Sequence, residues 1–129
     1  MIAVIFESWP APGKAEAYIN MGAALASHLA KVDGFISVER FRSVTDPEKL
    51  VALSFWRDEA SVDAWRNLEV HRNVQQESRS SIFTNYRLRV ASVMRDYGMF
   101  EREQAPGDSL TAHSEARGSS WSRQEASRK

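Results

Sequence analysis

Trp65 and His71 are the side chains of this 129-residue chain whose types and spacing could do chemistry together. An indole offers a large, rigid face on which a flat ligand can stack at low entropy cost. A histidine with an unperturbed pKa of about 6.5 has both protonation forms available at neutral pH. His71 is therefore the candidate general base for a phenol or quinol hydroxyl proton. Each has a plainer reading: Trp65 as a core residue of an amphipathic helix, His71 as a solvated or capping residue at a helix start. Arg40 stands on a strand face with Ile36 and Val38. There it could anchor an anionic ligand oxygen or stabilise an enolate, or pair with Glu7 or Glu39 at a sheet edge. Trp56 ends a strand beside the Trp65 helix and reads first as a packing residue.

Other chemistries are excluded or unsupported. The chain has no cysteine, which removes disulfides, thiolate metal sites and cysteine nucleophiles and fits a reducing cytoplasm. His28, His71 and His113 lack metal-ligand spacing, so no metal site is expected. Seventeen basic and seventeen acidic side chains cancel, leaving no field to gather nucleic acid or an anionic membrane. The apolar N-terminus lacks a basic leader and meets Glu7 and Pro10 too early for a signal peptide. No apolar run approaches the roughly 20 residues needed to span a bilayer. A soluble, cytoplasmic protein is expected.

The elements that must position these residues follow from periodicity. Residues 1–9 read as a strand with apolar residues on both faces, stopped by Pro10 and Pro12. Residues 11–31 form a helix whose stripe is Ala15, Tyr18, Ile19, Gly22, Ala23, Ala26 and Leu29, with Gly34 as the left-handed stop. Residues 35–42 are a second strand, with Ile36, Val38 and Arg40 opposite Phe35, Ser37, Glu39 and Phe41. A turn at residues 45–48 returns the chain into a third strand over residues 50–56. Asp58 is placed to cap a second helix with Glu59 in its first turn. That helix breaks near residues 67–69 and resumes over about residues 70–79. Tyr86 to Asp96 alternates with period two and reads as the last strand.

The order strand, helix, strand, strand, helix, strand specifies an α+β, ferredoxin-like βαββαβ fold, an antiparallel four-stranded sheet with both helices on one face. The other face is also largely apolar and needs a cover, because monomers rarely expose patches beyond a few hundred Å². A homodimer packed sheet to sheet supplies it. Residues 1–100 make this domain. Residues 101–129 carry Pro106-Gly107, serines and mixed charge, with only Leu110 and Trp121 as large apolar groups, and read as a disordered tail.

Phe55-Trp56-Arg57-Asp58-Glu59, then Ala64-Trp65, then His71-Arg72 leading into Gln75-Gln76, resembles the antibiotic biosynthesis monooxygenase (ABM) domain of the dimeric α/β-barrel superfamily. The resemblance covers about residues 1–99. It implies a dimeric α/β barrel with a pocket in each subunit between helices and sheet. It also implies oxidation of a small planar aromatic or quinol-type molecule by O2 with no cofactor, the substrate carbanion supplying the electron. In that picture Trp65, Phe83, Trp56 and the first-strand residue Glu7 line the pocket, with His71 or Arg40 handling proton and charge. Haem-degrading relatives combine a first-strand Asn, a helix Trp and a His ten residues later. Glu7, Trp65 and Gln75 stand there, so haem degradation is disfavoured. The rival readings are a non-enzymatic small-ligand or stress-response binder on the same fold, and a haem-binding relative with another axial ligand.

Overall fold

A computed structural model describes residues 1–68 and 82–109. The elements are β1 (Ile2–Pro10), α1 (Ala15–Ala30), β2 (Phe35–Arg42), β3 (Leu50–Trp56), α2 (Glu59–Arg66) and β4 (Phe83–Ser92). They form one four-stranded sheet in the order β2-β3-β1-β4, antiparallel at every junction. This is the ferredoxin-like arrangement that the element order predicts. The last strand begins at Phe83 and ends at Ser92, earlier at both ends than its alternation suggests. The second helical piece expected over residues 70–79, and His71 with it, lies outside the described residues. Among the described residues no helix is long and apolar enough to cross a membrane.

Register decides which side chains meet the helices. Ile2, Val4 and Phe6 stand opposite Trp56, Ser54 and Ala52 of β3 and opposite Ser92, Val90 and Leu88 of β4. Directly paired residues share a face, so these rows form one floor. Leu29 from α1 and Val62 from α2 are buried with Trp56 above one end of it. Tyr18 from α1 is buried with Leu50 and Ile82 at the other, with Phe6 and Phe83 packed against them. The α1 stripe is narrower than the expected one, with Ala23 and Ala26 exposed. Tyr18, Gly22 and Leu29 are buried, while Ile19 is 45% exposed.

A bulge corrects the reading of β2. Phe35 pairs with Trp56 and Ser37 with Phe55, leaving Ile36 as the extra residue. Phe35 therefore shares the helix face with Val38 and Arg40, and its ring meets Trp56 edge-on at 5.2 Å. Ile36 is left 53% exposed. The extra residue shifts alternation by one, which strict period-two reading cannot register.

The α1–β2 and β3–α2 connections lock together at Gly34. Its φ is +92°, and a Cβ there would sit 1.9 Å from Ser61 Oγ, so both conformation and space demand glycine. Arg57 N–H donates to the Gly34 carbonyl at 2.7 Å. Asp58 caps α2 as expected, accepting from Ser61 N–H at 2.9 Å and from Ser61 Oγ at 2.7 Å. These hydrogen bonds from Ser61, with the Arg57 guanidinium, lower the Asp58 pKa to about 2. A depressed carboxylate contributes stability that is present above its unfolded value and lost as pH falls through its folded value. Between about pH 4 and about pH 2, a urea midpoint should fall in the native protein. In Asp58→Asn the same acid limb should be shallower, and equal limbs would show that the cap does not contribute.

The chain divides after Val93 into two units, Met1–Val93 and Met94–Lys129, earlier than the composition change at residue 100. Of the tail expected to lack structure, residues up to 109 make local contacts. Asp96 N–H donates to Gln104 Oε1 at 2.8 Å, and the Arg102 guanidinium lies 5.2 Å from the Tyr97 ring centre. The remainder of the tail lies outside the described residues.

Candidate functional site

Between the helices and the sheet floor lies a cavity of about 230 Å³. Val4, Phe6, Leu88 and Val90 form its floor, Met21, Leu25 and Leu29 of α1 one wall, and Trp56, Val62 and Trp65 another. Phe83 and Tyr86 contribute from the start of β4. Apolar and aromatic walls with a few convergent polar groups are the usual make-up of a small-molecule site.

The aromatic end is an interlocking set. Phe6 and Tyr18 both present their rings to Phe83, at 5.6 and 5.1 Å with T-shaped geometry. Tyr86 closes it at 5.7 Å from Phe6. Such edge-to-face pairs add about 0.5–1.5 kcal/mol each beyond area burial, so this wall is preorganised.

The side chains that bring hydroxyl or guanidinium groups to the lining are Tyr18, Arg40, Ser54, Arg66 and Tyr86. Two are committed elsewhere. Ser54 Oγ accepts the Trp56 indole N–H at 2.9 Å, and Arg66 donates to Asp63 Oδ1 at 2.6 Å. Arg40 has no carboxylate partner among the described residues. Its guanidinium lies across α1 where Gly22 has no side chain, 2.6 Å from where a Cβ would stand. Burial pushes the Tyr18 hydroxyl pKa above its ordinary value, while Arg40 and Ser8 beside it pull the other way. The phenol therefore stays protonated at neutral pH and acts as a donor.

Of the residues singled out from sequence, the cavity brings together Arg40, Trp56, Trp65 and Phe83. Glu7 does not join them and is reassigned. It stands on the opposite face of β1, level with Val51 and Arg87, and forms ion pairs with Lys49 and Arg89. Those two cations lower its pKa, Lys49 first. Period two fixes this: Phe6 faces the helices, so its neighbour cannot. The same pairing removes Glu7 as a partner for Arg40. His71 lies outside the described residues, and among those described no three metal-binding side chains gather.

Tyr18 and Ser8 were missed as site residues. Ser8 is fully buried, and its Oγ has no hydrogen-bond partner among the described residues. The available signal was a hydroxyl continuing the apolar row Ile2, Val4, Phe6, and a tyrosine one helical turn before a glycine.

A family model described as antibiotic biosynthesis monooxygenase matches residues 1–77. A Pyricularia oryzae protein named jasmonate monooxygenase ABM is 40% identical over 93 residues, covering 72% of this chain and 43% of that one. The chain thus spans less than half the length of this curated relative. A Deinococcus radiodurans structure described as a candidate antibiotic biosynthesis monooxygenase superposes with a TM-score of 0.69 at 9% identity, covering 78% of this chain and 99% of that one. A Mycobacterium tuberculosis protein gives 0.67 at 18% identity, over 75% and 98%. At such identities the two structures speak for the fold.

Proposed function

The chain belongs to the antibiotic biosynthesis monooxygenase family, and from that premise we propose that it is a cofactor-independent monooxygenase of small cyclic molecules that supply their own electrons to O2. The cavity carries this reading: it is walled by Trp65, Phe83 and aliphatic side chains. A planar aromatic or quinol-type substrate would stack against those rings. An apolar chamber also keeps water from a reactive carbanion or peroxide intermediate.

The electron balance selects the substrate. A methylene activated by a carbonyl conjugated with it, as across the central ring of an anthrone, loses its two hydrogens and gains one oxygen atom as a ketone. The second oxygen atom leaves as water, so the substrate supplies all four electrons. Hydroxylating an unactivated C–H bond leaves the balance two electrons short and requires an external reductant. Jasmonate belongs in the test because the Pyricularia relative bears that name, with and without a two-electron donor.

Oxygen uptake should match product formation one to one for an activated anthrone or quinol, without added reductant and without hydrogen peroxide release. If no member of the panel exceeds its uncatalysed rate, with or without the donor, the enzyme reading is lost and the cavity is that of a binder.

The reading includes a homodimer through the helix-free face of the sheet. Ala3, Ile5, Leu53 and Phe55 stand together there, with Phe41 43% exposed at one side. Glu7, Lys49 and Arg89 place a compensated charge cluster among them. A self-complementary two-fold interface can cover such a face.

A further inference from the structure

We propose that Arg40, Tyr18 and Ser8 form an oxyanion-binding subsite at one end of the cavity, which selects ligands whose apolar body carries a single negatively charged oxygen group. The proposal rests on reading the cavity as a ligand chamber and names the chemistry that chamber accepts.

Three observations converge on it. The first is charge. Of the two guanidinium groups in the lining, Arg66 is neutralised by Asp63, while Arg40 has no carboxylate partner among the described residues. Arg40 retains contact with solvent, which lets an uncompensated cation persist on an otherwise apolar wall. A ligand anion arriving there replaces that water with a charge-assisted contact.

The second is an unspent donor. Ser8 is fully buried and its Oγ has no partner in good hydrogen-bond geometry among the described residues, although it lies close enough to act on the Tyr18 hydroxyl. A buried hydroxyl without a partner is costly and calls for an explanation. A ligand oxygen that engages Tyr18 draws its hydroxyl into the cavity and leaves the phenol oxygen as an acceptor for Ser8. Ser8 thereby becomes a positioning residue behind Tyr18.

The third is space made for the cation. Gly22 lies buried within α1, where glycine weakens a helix relative to alanine. A Cβ at that position would meet Arg40 Nη2, Cζ and Nε at 2.6, 2.7 and 3.0 Å. The helix therefore carries glycine where the guanidinium lies flat against it.

Two ligand groups share this chemistry. A carboxylate presents two oxygens to the planar fork of arginine, and a phenolate or enolate presents one oxygen to the Arg40 guanidinium and the Tyr18 hydroxyl together. Isothermal titration of the full chain with 2-naphthoate, 2-naphthol and methyl 2-naphthoate separates them. The carboxylate should bind at least about tenfold more tightly than its methyl ester. Preference for naphthol that develops only as it ionises supports the same subsite with phenolate as its ligand. An ester that binds as tightly as both anions overturns the proposal.

In Arg40→Met the preference for the anion should fall below about threefold. Gly22→Ala should weaken the anion but not the ester while leaving the melting temperature unchanged or raised, which separates displacement of the guanidinium from misfolding. An undiminished preference in both variants also overturns the proposal. The readout is binding and needs no turnover. Anion selectivity without oxygen uptake leaves the subsite standing and the monooxygenase reading lost, and turnover of a neutral substrate without anion selectivity does the reverse.

Discussion

Trp56→Ala should lower the unfolding free energy by about 3–5 kcal/mol, among the largest losses that a single truncation gives. Trp56 is 2% exposed and is buried together with Leu29 of α1 and Val62 of α2. Its indole N–H is satisfied by Ser54, and its ring meets Phe35 edge-on. Truncation therefore removes packing from both helices and two strands, and it leaves Ser54 without its donor. The void would merge with the neighbouring cavity, which Trp56 also lines, so collapse of the surroundings cannot refill it. Urea unfolding followed by circular dichroism measures the loss, with Trp56→Phe expected to keep most of the packing. A loss below about 1 kcal/mol, the centre of the range for point substitutions of every kind, would show that this end of the core is not what joins the helices to the sheet.

Leu53→Arg should convert a dimer into a folded monomer, raising the dissociation constant by at least about a thousandfold, or about 4 kcal/mol. Leu53 stands between Ile5 and Glu39 in the sheet register, on the face away from both helices. In a two-fold interface the substitution enters twice, and a guanidinium buried without a partner costs several kcal/mol. The residue takes no part in the helix-side clusters, so the fold should survive with its circular dichroism unchanged. Val44→Arg is the control, because Val44 is 97% exposed in the β2–β3 connection and should leave assembly as it was. Light scattering across a dilution series makes the comparison. A native chain that is already monomeric at micromolar concentration would remove the dimer from the proposal and leave the cavity untouched.

Much of the scaffold was legible because it depends on near neighbours in sequence. Period-two alternation fixed which side chains of β1, β3 and β4 travel together, and Asp58 three residues before Ser61 marked the start of α2. The order of elements then admitted one economical sheet. Gly34 announced the left-handed turn after α1, since few other residues accept that conformation.

The site itself was legible in part. Arg40, Trp56, Trp65 and Phe83 stood out by type, and the cavity gathers them. Glu7 was drawn in by analogy of position, and register sends it to the other face, where Lys49 and Arg89 hold it. The β2 bulge at Ile36 was invisible because one unpaired residue changes the phase of a strand without changing its composition. Above all, Ser8, Tyr18 and Arg40 come from β1, α1 and β2, and nothing in their local sequence relates them. By itself the sequence determined the strands, the helices and their order, because those follow from short-range periodicity and capping. Only the tertiary structure decided that a phenol, a buried hydroxyl and a guanidinium meet at one end of an apolar cavity, because that meeting depends on strand register and on how α1 is turned over the sheet.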